Sequence, residues 1–309
     1  TPIQPILTVI SRTGGRCREM MRWGLVPFKA RRLRGILMME PHKDATGMTL
    51  LEGKVAVITG SARNIGRACA IELAKRGAKV VVNARTRDKV DKVVGEIQAM
   101  GGEALPNYDS VAISEGSKKI VQTAVEGFGS LDILVNNASI RYFGRLHEMP
   151  DAEWEEVINV DLISPFRLCK EALPHMMSKE WGRIINISAH AGLTGASFRS
   201  SYAAAKGGIN ALTKSLAQEY GSDGITANAI APLVKTELET GPGVPAGTIY
   251  GSRMPSELLQ LNPNYYNPSN PIPKEGTPAE VATAVAFFAS HEAWFITGQV
   301  ISVGGGFWM

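Results

Sequence analysis

Cysteine is scarce. Cys17, Cys69 and Cys169 are the only three in 309 residues, and their odd number and wide spacing exclude a disulfide framework and a closely spaced zinc site. A reducing compartment such as the cytoplasm is expected. Long apolar runs are missing as well: no stretch approaches the ~18–20 apolar residues of a membrane span. No compact apolar core ahead of a small-residue cleavage site marks a secretion signal. The five histidines (His42, His147, His175, His190 and His291) lack metal-ligand spacing, and no Gly-x-Ser-x-Gly elbow is present. Neither a metal site nor a hydrolase is therefore expected. Repeats and low-complexity tracts are also lacking. What is there is 44% hydrophobic, 20% charged and carries 32 glycines, a composition that excludes collagen, coiled coil and wholesale disorder.

A formal charge of +4 would suit an anionic partner if it were evenly spread. It is not. Residues 1–48 hold nine Lys/Arg against three acids, and the rest of the chain holds 24 basic against 26 acidic residues. The basic character belongs to the leader, so no nucleic-acid partner is expected for the remainder. The chain reads as a basic extension, 1–48, outside the fold, and one domain, 49–309.

From Leu50 onward short β-branched runs alternate with helix-length segments. Strands are predicted at Lys54–Thr59, Lys79–Ala84, Leu131–Asn136, Arg183–Ser188, Thr226–Ile230 and Gln299–Val303. Helices are predicted at Lys89–Met100, Ala152–Lys179 and Tyr202–Tyr220, with another between Gly66 and Arg76. Near-continuous apolar strands joined by helices imply a parallel sheet covered on both faces, with right-handed crossovers. The fold class is therefore α/β, a Rossmann-type doubly wound sheet in a single domain. Residues 237–273 break the rhythm with seven of the 17 prolines and three of the seven tyrosines. A stretch that long without periodicity suits a substrate lid.

Thr59-Gly60-Ser61-Ala62-Arg63-Asn64-Ile65-Gly66 joins the first strand to the first helix. Glycines there let backbone approach a phosphate, and the helix start supplies free N–H groups and a positive dipole end. After the second strand, where an acid would bind the 2′-hydroxyl of NAD, the chain has Asn83-Ala84-Arg85. Arg85 and Arg63 together suit a 2′-phosphate. NADP(H) is favoured, with NAD(H) open.

In Tyr202-Ala203-Ala204-Ala205-Lys206 the first and last residues share a helix face. A cation beside a phenol suits it to exchange a proton with a substrate oxygen. With Asn136-Asn137-Ala138-Ser139 and Gly182–Ser188 ahead of this pair, the chain resembles the short-chain dehydrogenase/reductase family, and is similar to its 3-oxoacyl-carrier-protein reductases. The motifs recur in order from Leu50 to the C-terminus and include Asp109, Asn228–Pro232 and Ile296–Gln299.

The resemblance implies seven parallel strands with a nicotinamide cofactor across their C-terminal ends. It implies Tyr202 as acid/base, with Lys206 binding the nicotinamide ribose. Asp109 would hold the adenine, Asn137 and Ala138 its ribose, and Thr236 the amide or phosphates. Gly60, Ser61, Arg63, Asn64, Ile65, Gly66, Arg85, Ser110, Ser139 and Pro232 complete the expected cofactor contacts. A homotetramer and a small carbonyl or alcohol substrate are implied too. Arg141, Arg145, Arg199 and Lys235, on loops at that end of the sheet, suit an anionic or carrier-protein-bound substrate.

Several positions depart from the family pattern. Asn64 replaces the middle glycine, Ser139 replaces a glycine, and the glycine after Pro232 is missing. Gly304 stands where Asp is common, and Asp161 takes the place of the Asn of the water relay. The serine that orients the carbonyl is Ala189 here. Ser188 lies one residue early, and on a regular strand one residue reverses side-chain direction. Ser188, Asp161, Tyr202 and Lys206 are the candidate catalytic residues, with His190 or Ser188 able to stand in for the serine. A catalytically impaired NADP(H)-binding sensor is the alternative reading. In the leader, Gln4–Val9 and Met20–Phe28 resemble pieces of the SOS-response-associated peptidase family. That suggests a foreign or mis-started extension, with an Arg-rich transit peptide as the other possibility.

Overall fold

The structure is a computed structural model, and it describes residues 50–234, 236 and 271–306. The leader 1–48, Lys235 and most of the expected lid, 237–270, lie outside the described residues.

Seven parallel strands form one sheet in the order β3-β2-β1-β4-β5-β6-β7. They are β1 (Val55–Thr59), β2 (Lys79–Asn83), β3 (Ala104–Asn107), β4 (Ile133–Asn136), β5 (Gly182–Ile187), β6 (Ile225–Pro232) and β7 (Val300–Val303). The helices are α1 (Asn64–Lys75), α2 (Arg87–Ala99), α3 (Ser114–Phe128), α4 (Asp151–Ile158), α5 (Ser164–Met177), α6 (Ala191–Thr194), α7 (Ser200–Tyr220) and α8 (Pro278–Ala289). Strand order reverses between β1 and β4, the switch point where such sheets open a crevice at their C-terminal ends.

Alternate residues of each strand feed two cores, as the two-residue period of a strand requires. Ala56, Ile58, Val80, Val82, Ile133, Val135 and Ile185 pack under α1, α2 and α8. Val55, Val57, Val81, Leu134 and Ile184 pack under α3, α5 and α7. Register follows from this burial: Val57 pairs with Val81 on one side and Leu134 on the other, and a one-residue slip would send each side chain into the wrong core.

The stretch expected as one helix, Ala152–Lys179, is interrupted. Between α4 and α5, residues Asn159–Ile163 form a π turn, which widens the helix by one residue and resets the facing of α5. α8 begins with Thr277 as N-cap, whose hydroxyl accepts from the Ala279 N–H while Glu280 accepts from the Thr277 N–H at 2.6 Å. That reciprocal pair fixes where α8 starts. Cys69 and Cys169 are free and buried, and burial pushes both thiols up to about 12. Among the described residues no helix is long and apolar enough to cross a membrane.

Candidate active site

A cavity of about 800 Å³ runs along the C-terminal edge of the sheet, from the β1–α1 turn to α7. Its two ends differ in chemistry.

At the turn end, Gly60 has φ +63° and Asn64 φ +47°. Both positions need the left-handed region, which Asn enters more readily than most residues and so serves in place of a glycine. A Cβ on Gly66 would lie 2.4 Å from the Gly60 carbonyl oxygen. α1 starts directly on the cavity, and no side chain caps it. Its positive dipole end therefore faces the cavity, where it favours an anion. Arg63, Arg85 and Lys89 line the same end, Lys89 being a cation that the sequence motifs do not mark.

Asn83 ends β2 with its amide turned inward, donating to Asn107 Oδ1 at 2.8 Å and the Asp109 carbonyl at 2.9 Å. Asn107 in turn donates to Asp109 Oδ2 at 3.0 Å, fixing that carboxylate at the cavity wall. Asn137 donates to the Thr59 and Gly60 carbonyls and so ties β4 to the glycine turn. These amides brace the turn and Asp109, and the uncapped helix start and the cations fit a dinucleotide phosphate.

Of the residues that the sequence marks for cofactor contacts, Gly60, Arg63, Asn64, Ile65, Gly66, Arg85, Asp109, Ser110, Asn137, Ala138, Ser139, Pro232 and Thr236 line the cavity. Ser61 does not. It is fully buried, its hydroxyl donates to the Ile58 carbonyl at 2.7 Å and accepts from the Asn83 N–H, so it locks β1 to β2. Its position in the turn gives no sign of this, because side-chain direction there depends on the φ of Gly60.

At the other end, Tyr202 and Lys206 lie one turn apart on α7, both buried, with the Lys206 ammonium 5.6 Å from the Tyr202 ring centre. The Arg141 guanidinium lies 5.6 Å from the same ring centre. Lys206 Nζ donates to the Ile187 carbonyl at 2.9 Å and pairs with Asp161 Oδ2 at 3.2 Å. Asp161 is fully buried behind the cavity wall rather than on it.

Ala189 lines the cavity and belongs to the same buried cluster as Tyr202, Tyr142 and Ala205. The Ser188 hydroxyl turns instead onto α7, donating to the Lys206 carbonyl at 3.3 Å. Ser188 and Ala189 both line the cavity past the end of β5, where strand alternation no longer fixes side-chain direction, and the Ser188 hydroxyl is held by this strand–helix contact. His190 Nε2 lies 2.8 Å from Ser302 Oγ, and burial lowers the imidazole below its ordinary value. A Cβ at Gly304 would lie 3.0 Å from that nitrogen. The glycine where Asp is common thus makes room for His190.

A doubly wound sheet with a phosphate-ready turn at one end of a crevice and a buried Tyr–Lys pair at the other is the architecture of a nucleotide-dependent oxidoreductase. Residues 54–241 match the short chain dehydrogenase family, and the chain belongs to that family. It is 38% identical over 261 residues to the 3-oxoacyl-[acyl-carrier-protein] reductase of Vibrio cholerae, covering 84% of this chain and 99% of that one. The same identity holds over 258 residues to the reductase of that name from Staphylococcus aureus strain Mu50, covering 83% and 98%. Among solved structures, a candidate gluconate dehydrogenase from Agrobacterium tumefaciens superposes with a TM-score of 0.73 at 29% identity. That match covers 84% of this chain and 98% of the other.

Proposed function

We propose that the protein is an NADP(H)-dependent reductase or dehydrogenase that interconverts a ketone and a secondary alcohol. The observation that carries this reading is one continuous cavity joining the cation-lined glycine turn to Tyr202. When bound, the nicotinamide supplies or accepts the hydride at its C4. Tyr202 exchanges the proton on the substrate oxygen, and Lys206 holds the cofactor ribose beside it. Ala189 contributes no second donor to that oxygen, so the carbonyl is polarised by Tyr202 with less help than two donors would give.

Arg63 and Arg85 favour the 2′-phosphate of NADP(H) over the hydroxyl of NAD(H). Arg141 and Arg199, both on the cavity wall, favour a substrate with a negative group, free or on a carrier protein such as the relatives' names specify. The exposed side chains of Ile163, Phe166, Trp294 and Phe295 suit contacts between copies in a homotetramer. A cytoplasmic setting, a basic leader outside the enzyme domain and a lid at 237–273 complete the reading.

The test is NADPH oxidation against a panel of ketones, 3-oxoacyl thioesters and oxo acids, with Tyr202→Phe alongside. Turnover that Tyr202→Phe abolishes while NADPH still binds is the expected result. NADPH binding with no Tyr202-dependent turnover on any carbonyl would favour the sensor instead.

A further inference from the structure

Two of the residues that depart from the family pattern, Ser139 and Asp161, touch each other. Ser139 follows β4, Asp161 sits in the π turn, and the Ser139 hydroxyl donates to Asp161 Oδ2 at 2.5 Å. Two further donors converge on this carboxylate. The Ile140 N–H reaches Oδ1 at 2.8 Å, and the Lys206 ammonium reaches Oδ2 at 3.2 Å beside the serine.

A backbone N–H and an ammonium can only donate. They stand one on each oxygen, so an amide at this position would turn its NH₂ against one of them in either orientation. The site selects a carboxylate. Lys206 is in turn clamped between that charge and the Ile187 carbonyl of β5, with 2% of its surface exposed.

We propose that Asp161 is the counter-ion that positions Lys206, and that the Ser139 hydroxyl supports its ionised form, so that the two departures act as one unit. Asp161 is a positioning residue here, since the cavity wall separates it from any substrate. The consequence for cofactor binding rests on the NADP(H) reading of the cavity, whereas the counter-ion role belongs to the ligand-free protein.

The charged and titratable groups around Asp161 are few. α7 presents Lys206 and Tyr202. The loop after β4 presents Arg141 over Tyr202, and α4 presents Glu156, which accepts from the Tyr142 hydroxyl at 2.5 Å. His190 lies past the end of β5, on Ser302. Burial pushes the Asp161 carboxyl up, while Lys206, Ser139 and the Ile140 N–H hold it down. Acid therefore removes the counter-charge of Lys206, and losing the serine hydroxyl moves that event to higher pH. The serine hydroxyl donates to the charged form, so it is one of the groups that keep that event at lower pH.

The experiment has two arms on the full chain. In the ligand-free arm, denaturant unfolding is measured for Asp161→Asn, Lys206→Met and the double variant. We expect each single change to destabilise and the double to recover part of the combined loss, because each single leaves a buried polar partner unmatched. Should Asp161→Asn fail to fold, folding of the double variant carries the same conclusion. Additive losses overturn the counter-ion role.

In the second arm, NADPH affinity is titrated by its fluorescence from pH 8 to pH 5 for wild type, Ser139→Ala and Asp161→Asn. We expect an acid fall in wild-type affinity, the same fall displaced to higher pH in Ser139→Ala, and weak binding without that fall in Asp161→Asn. A fall that does not move in Ser139→Ala, or wild-type affinity in Asp161→Asn, overturns the proposal. If no variant nor the wild type binds NADPH, the cofactor reading fails while the ligand-free cycle still decides the ion pair.

Discussion

Replacing Gly66 with alanine sets two physical effects against each other, and the structure decides the sign. Gly66 is a helical residue in the first turn of α1. Helix propensity alone favours alanine by about 1 kcal/mol. The added methyl, however, would sit 2.4 Å from the Gly60 carbonyl oxygen, 2.5 Å from Asn137 Nδ2 and 2.8 Å from the Ser61 Cα. Two of those three atoms are backbone, so no rotamer change relieves the contact. The third belongs to an amide already donating to the Thr59 and Gly60 carbonyls. Overpacking in such a place costs about 1–3 kcal/mol. The upper end applies here, and after the propensity gain a net loss of about 2 kcal/mol remains. Displacing the Gly60 carbonyl also opens the turn at the end of the cavity where the phosphates are proposed to bind. The assay is denaturant unfolding of the ligand-free protein together with NADPH titration of the same sample. Gly66→Ala should lower the unfolding midpoint and weaken NADPH. A midpoint at or above wild type would refute the steric reasoning, leaving propensity as the deciding effect.

Arg85→Asp should lower NADPH efficiency and raise NADH efficiency, because a carboxylate repels the 2′-phosphate and accepts from the 2′-hydroxyl; an unchanged ratio of kcat/KM for the two cofactors would sink the assignment. Ala189→Ser adds a hydroxyl on the cavity wall that Tyr202 also lines. Since losing one oxyanion donor costs about 10²–10³ in rate in measured cases, kcat should rise by about tenfold or more, and no rise would show that the missing donor is not limiting. His190 is held below its ordinary range by burial, so the unfolded chain takes up its proton first as pH falls. Stability from this residue is present above the ordinary histidine value near ~6.5 and is lost as pH falls through the depressed one. His190→Gln should therefore flatten the stability-versus-pH curve between pH 7 and pH 5, and an equally steep curve would assign the slope to other groups.

The strands that sequence marks clearly are those whose β-branched runs fill both cores, such as Val80–Val82 and Ile184–Ile185. β3 is harder to see. Its four residues, Ala-Leu-Pro-Asn, include a proline at an edge, where the missing N–H does no harm. The Tyr202/Lys206 pair is legible because helical spacing puts both on one face and the Asn136–Ser139 and Gly182–Ser188 motifs precede it. Hydrophobic periodicity likewise predicts one helix through Ala152–Lys179, but it cannot register the extra residue of a π turn. That extra residue sets where Asp161 points.

For this reason the Ser139–Asp161 contact is hidden in the sequence, although both positions stand out from the family pattern. Each is a local oddity in its own motif, separated by 22 residues, and only the reset facing after Ile158 brings them together. His190 and Gly304 form a second such pair, in which a side chain that the pattern does not predict lies where a Cβ would intrude. In both cases one unusual residue has its physical reason in another. A variant that restores only one of a pair should therefore fare worse than one that restores both. For Ser139→Gly/Asp161→Asn, unfolding measurements should show the double variant closer to wild type than Asp161→Asn alone. The glycine frees the space of the serine side chain and loosens the backbone ahead of Ile140, so the amide can give its oxygen to Lys206 while the Ile140 N–H shifts off its NH₂. A double variant no more stable than Asp161→Asn would mean that Ser139 and Asp161 are merely adjacent.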